Sequence, residues 1–102
     1  MARYAAEKLY QRALVKKVER LFLGCFIVKN DPAENQGIPD LLILFGNRWA
    51  MLEVKLDDDS DLQPNQDYYI NMFGKMSFAS FINPDTEEVV LRDLQSAFRV
   101  SR

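Results

Sequence analysis

The chain has 102 residues, 13 Lys or Arg against 15 Asp or Glu and a formal net charge of -2, which predicts a single domain over residues 1–102 with room for one small core. Its single cysteine rules out an intrachain disulfide and any multi-cysteine zinc site, and fits a reducing, cytoplasmic setting. Apolar runs such as LLILF are far too short to span a membrane, and the charged N-terminal stretch lacks the apolar region of a secretory signal.

Residues 4–23 read as a helix. Leu14, Val18 and Leu21 recur at helical spacing with Leu9, Ala13 and Phe22 on the flanks, and Lys8, Arg12, Lys16, Glu19 and Arg20 take the opposite side. Gly24 suits the closing position of that helix. Cys25–Lys29 is a short β-prone stretch, in which Cys25 is expected as a small buried apolar residue. Asp31–Gly37 is a polar loop. The apolar run Ile38–Phe45 and the stretch Trp49–Lys55, separated by Gly46-Asn47, predict a β-hairpin.

Leu56–Leu62 is acidic and loop-like. Pro64 then predicts the first turn of a helix over Pro64–Gly74, with Tyr68, Tyr69, Met72 and Phe73 on its apolar side. Ser77–Ile82 alternates as a strand does, Asn83-Pro84-Asp85 is a turn, Glu87–Leu91 reads as a short strand, and Arg92–Phe98 as a final helical turn or two. The sum is one α/β or α+β unit.

The chemistry is bounded by what is missing. With no histidine, Ser-His-Asp and Cys-His mechanisms and HExxH metallohydrolases are excluded. Any hydrolytic activity must use carboxylates, lysine and a hard cation with oxygen ligands. The hairpin supplies such a set. Asp40 sits near the start of one strand and Glu53 late in its partner, so antiparallel pairing brings them side by side. Glu53 and Lys55 are two apart and share a sheet face, with Leu52, Val54 and Leu56 on the core side.

Charges in so apolar a strand need a partner. A divalent cation between Asp40 and Glu53 would be one, with Lys55 placed to meet a phosphate. Spacing alone leaves open a plainer arrangement, an exposed Glu-Val-Lys face with Asp40 as a turn residue.

G-I-P-D at 37–40, E-V-K at 53–55 and Q-P-N-Q at 63–66, following a helix that carries a Glu, resemble the PD-(D/E)XK (restriction-endonuclease-like) nuclease superfamily. The likeness is greatest to the stand-alone VRR-NUC type, often virus-encoded, and covers roughly residues 7–82. It implies an αβββαβ core with a mixed sheet flanked by helices, and a metal-dependent DNA endonuclease. Asp40, Glu53 and the backbone carbonyl of Val54 would hold Mg²⁺ or Mn²⁺, Lys55 would position or deprotonate the attacking water, and Gln66 would contact that network.

The helix-1 carboxylate would be Glu7, which shares a stripe with Gln11, Leu14, Val18 and Leu21, rather than Glu19 among the basic residues. Gln63 stands where the family often has a capping Ser. Small members resemble Holliday-junction resolvases, implying branched DNA as substrate and a homodimer.

Charge placement qualifies this expectation. Residues 1–29 carry seven basic side chains and two acidic ones, while Asp57, Asp58, Asp59 and Asp61 crowd the stretch after Lys55. Phosphate contacts are therefore expected from Lys8, Arg12, Lys16, Arg20, Arg48 and Lys75. Tyr68, Tyr69, Phe73, Phe78 and Phe81 read as packing residues ahead of base-stacking ones. The competing reading is a catalytically idle adaptor or inhibitor of the same fold that binds a protein through its acidic surface.

Overall fold

The structure, a computed structural model, describes residues 2–57 and 63–100. Helix α1 (Ala2–Leu21) leads to strands β1 (Phe26–Lys29), β2 (Leu41–Phe45) and β3 (Arg48–Val54), then α2 (Gln66–Met76), β4 (Phe78–Ile82) and α3 (Glu87–Ala97). The strands form one mixed sheet in the order β1-β2-β3-β4. The first two pairings are antiparallel and β3–β4 is parallel, with α2 as the crossover. The result is an α/β fold with a four-stranded sheet and three helices among the described residues. None of these helices is long and apolar enough to cross a membrane.

The core lies between one sheet face and the pair α1 and α3. Leu14, Val18 and Phe22 of α1 and Val90, Leu91, Leu94 and Phe98 of α3 and its C-cap meet Leu41, Ile43, Ala50, Leu52, Val54 and Ile82 of the sheet. Three rings, Phe22, Phe45 and Phe98, pack with centroids 5.3–5.7 Å apart. Tyr10 donates a hydrogen bond to Glu87 Oε1 at 2.9 Å, and Lys17 pairs with the other oxygen of that carboxylate, which ties α1 to the start of α3. The opposite face is covered by α2 over β3 and β4, where Ile70 is buried and Phe73 meets Trp49 edge-on. Because both faces of β3 are covered, every residue from Ala50 to Lys55 is buried. The β1–β2 half of the α2 face stays open, with Phe26 66% and its cross-strand neighbour Leu44 40% exposed.

Several expectations are corrected. Glu87–Leu91 is not a strand: Glu87–Ala97 is one helix. The β-branched pair Val89-Val90 favours a strand locally, but Val90, Leu91, Leu94 and Phe98 keep helical spacing against the core. Asn83 Oδ1 accepts the Asp85 and Thr86 N–H groups, which turns the chain just before the helix, and Glu87 and Glu88 favour its N-terminal dipole. Strand β2 begins at Leu41 rather than Ile38, because Pro39 has no N–H to give to a ladder. Helix α2 begins at Gln66 because Asn65 adopts a left-handed φ of 71°.

Of the residues expected on apolar faces, Leu9 (63%) and Tyr68 (62%) are largely exposed. Cys25 is half-buried at the edge of the core. Asp58, Asp59 and Asp61 lie outside the described residues.

Gly37 joins the loop before β2 to the entry of α2. It has φ +90°, and a β-carbon there would sit 2.8 Å from the Asn65 carbonyl carbon and closer still to the Pro64 carbonyl oxygen. Gly46, in the hairpin turn at φ +61°, has open space around it. Gly37→Ala is therefore expected to cost roughly 2–4 kcal/mol in urea unfolding, through strain and a backbone clash, against about 1 kcal/mol for Gly46→Ala, which carries the strain alone.

Candidate active site

The β2–β3 ladder ends at the pair Leu41–Leu52. One step further the register sets Asp40 opposite Glu53, and here side chains take over from carbonyl groups. The Val54 N–H donates to Asp40 Oδ2 at 2.8 Å and the Asp40 N–H donates to Glu53 Oε1 at 3.2 Å. The Asp40 carbonyl accepts the Asn30 N–H from the β1 side, and the Lys55 N–H donates to the Ile82 carbonyl of β4. The sheet thus fixes the backbone beneath both carboxylates from each side.

Gln66, the first residue of α2, completes the cluster. Its Nε2 donates to Glu53 Oε2 at 2.8 Å, while its Oε1 accepts from Lys55 Nζ at 2.8 Å and from the Gln63 N–H at 2.9 Å. One amide therefore bridges the acid and the ammonium and ties the Gln63 backbone to them, while the N-terminus of α2 has no side-chain cap. Glu53, Lys55 and Gln66 are all at least nine-tenths buried. The sequence pattern brings Asp40, Glu53, Lys55 and Gln66 together in the structure.

Burial is also the main influence on the acidity of the carboxyl groups. Glu53 is pushed up to about 8, first by desolvation and next by the charge of Asp40, against the opposing pull of Lys55. Asp40 is raised as well, by desolvation, with the Val54 N–H working the other way. Glu7 is raised by desolvation and then by Asp40, so it feels the cluster across the cleft.

These groups line an open cleft of about 890 Å³ at the end of the sheet. Its walls include Glu7, Lys8 and Gln11 of α1, Lys29 and Asn30 after β1, the Gly37–Asp40 approach, and Gln63 and Gln66. Of the carboxylate pair proposed for helix 1, Glu7 faces this cleft, whereas Glu19 is exposed outside it.

The donor set suits a hard cation of modest demand. Mg²⁺ is commonly held by one or two carboxylates and keeps several waters, and Asp40 with Glu53 provides two carboxylates at one point. No group of three or more His, Cys, Asp or Glu side chains able to hold a metal forms among the described residues, so Glu7 stands on the cleft wall without joining a three-donor set.

Among the basic residues, only Lys8 of the expected phosphate contacts lines the cleft. Arg12, Lys16 and Arg20 are exposed on α1 away from it. Arg48 opens β3 and Lys75 closes α2, at the ends remote from Glu53 and Gln66 by roughly 17 Å and 13 Å of strand and helix rise.

Arg3 and Lys29 line the cleft instead, and Arg3 pairs with Asp57 at 3.0 Å. Their signal was positional: Arg3 lies one turn before Glu7, and Lys29 pairs with Leu41, next to Asp40. No protein-family model, curated protein or solved structure matches the chain.

A carboxyl that ionises less readily folded than unfolded binds more protons in the native state, so its contribution is complete at low pH and lost as pH rises through its folded value. In EDTA, the urea midpoint is therefore expected to fall between about pH 5 and pH 8 on account of Glu53 and Asp40. Asp40→Asn, which keeps an oxygen for the Val54 N–H, should flatten that slope. Adding millimolar Mn²⁺ at pH 8 should raise the midpoint of the wild-type protein and not that of Asp40→Asn.

Proposed function

We propose that the protein is a metal-dependent DNA endonuclease of the PD-(D/E)XK type that hydrolyses phosphodiester bonds. The observation that carries this reading is the single hydrogen-bonded cluster of Asp40, Glu53, Lys55 and Gln66 on the floor of an open cleft. A structural ion pair would need neither the second carboxylate nor access to a cleft. Two acids held against each other under burial are poised to exchange a proton for a cation.

Asp40 and Glu53, with the Val54 carbonyl, would hold Mg²⁺ or Mn²⁺. When bound, the ion supplies Lewis acidity that polarises a phosphoryl oxygen and makes a nearby water more acidic. Around it the chain's own groups act by position. Lys55, held by Gln66 Oε1 at 2.8 Å, presents a fixed positive charge to the phosphate as negative charge grows on it. Gln66 keeps Lys55 and Glu53 at one spacing, so neither must reorganise during the reaction. Arg3, Lys8 and Lys29 on the cleft walls would meet the flanking phosphates.

The products expected of this chemistry carry a 5′-phosphate and a 3′-hydroxyl. Branched, four-way-junction DNA is the substrate we favour, cut by a homodimer, because one small module buries only about 600–1,000 Å² on DNA. The open half-face around Phe26 and Leu44 offers apolar surface for the second protomer.

The test is cleavage of a synthetic four-way junction and of supercoiled plasmid in Mn²⁺. Asp40→Ala and Lys55→Ala are each expected to lose at least about 100-fold in rate, and EDTA to abolish cleavage. Equal cleavage by all three proteins would assign the activity to a contaminant and end the nuclease reading.

A further inference from the structure

The described residues include five buried polar or charged side chains: Gln11, Glu53, Lys55, Gln66 and Asn83. Four of them are engaged. Gln66 holds Glu53 and Lys55, and Asn83 Oδ1 accepts two backbone N–H groups. Gln11 is different. It is only 7% exposed, it lines the cleft, and its amide makes no hydrogen bond to any described residue. No side-chain N or O atom shut off from solvent lacks a partner among the described residues, so the Gln11 amide reaches the open cleft and can bond to what enters it.

Its placement is fixed by packing. Gln11 lies one turn after Glu7 and three residues before Leu14, whose 1% exposure anchors that stripe of α1 against the sheet. The side chain is therefore held over the cleft.

We propose that the Gln11 amide is a substrate-binding group that donates a hydrogen bond to a non-bridging phosphate oxygen of the nucleic-acid backbone. This rests on the phosphodiesterase reading and deepens it. A phosphate entering beside Asp40 and Glu53 meets carboxylates that cannot donate to its oxygens while ionised. The Gln66 amide is committed to Glu53 and Lys55, and the Asn30 amide donates to the Pro39 carbonyl at 2.9 Å. Gln11 offers an uncommitted neutral donor on the same cleft, one that adds hydrogen bonding without disturbing the charge balance around the carboxylates.

The experiment follows steady-state cleavage of a fluorescein-labelled four-way junction in Mn²⁺ by wild type, Gln11→Leu, Gln11→Met and Gln11→Glu, with Asp40→Ala as the control for the chemistry. Melting points and Mn²⁺ uptake by calorimetry are measured alongside. Gln11→Leu and Gln11→Met are expected to melt at or above the wild-type temperature and to take up Mn²⁺ as wild type does, yet to raise KM about tenfold with a smaller change in kcat. Gln11→Glu should raise KM further, because it sets a charge against the phosphate.

Unchanged KM in all three Gln11 variants, with wild type cleaving and Asp40→Ala inactive, would overturn this assignment and leave the nuclease reading standing. A lowered melting point with unchanged KM would make Gln11 a purely structural residue. Absence of Asp40-dependent cleavage by wild type would remove the phosphodiesterase reading and this inference together.

Discussion

Where the β2–β3 ladder runs out of backbone partners, two carboxylates take their place, and the rest of the site depends on that substitution. The Val54 and Asp40 N–H groups point at the end of the sheet and must be satisfied. Asp40 and Glu53 satisfy them across the strands at 2.8 and 3.2 Å. The same bonds that finish the hairpin draw two acids together under cover, and burying two like charges raises the pKa of both. The architecture of the sheet and the chemistry of the cleft thus share one set of atoms.

The surroundings make this tolerable. Helices pack on both faces of β3, so Glu53 sits on a strand with little freedom to rearrange, with Lys55 just past its end and Asp40 just before β2. Gln66 enters from α2 and divides its amide between Glu53 and Lys55, while the close approach of Gly37 to Pro64 and Asn65 keeps the α2 entry against the Asp40 loop. Each of these groups is held by at least one partner from another element.

Much of this was legible in the residues. The apolar run Ile38–Phe45, the stretch Trp49–Lys55 and the Gly-Asn turn between them gave the hairpin, and the hairpin alone aligned Asp40 with Glu53 and set Lys55 beside them. What escaped the sequence was decided by tertiary contacts. The helix at Glu87–Ala97 wins over the strand preference of Val89-Val90 because its apolar residues fit the α1 face. The true start of α2 hinges on one left-handed asparagine.

The basic residues were the least readable. A helix face rich in Lys and Arg says nothing about which of them looks over the cleft, and Arg3 and Lys29 do so because of where α1 and β1 end in space. Gln11 was visible only as a neighbour on a stripe. Its recessed position over the cleft emerges from the way Leu14 seats the helix.

The bond between Lys55 and Gln66 also has an evolutionary reading. It clasps the chain at two points eleven residues apart, and the described residues next to each point are themselves tied to the fold, Asp57 to Arg3 and Pro64 with Asn65 against Gly37. The entropy of such a closure grows only with the logarithm of length, about 0.6 kcal/mol for each doubling. Residues added between these two points would therefore cost little closure entropy, and the Lys55–Gln66 bond itself would not have to change.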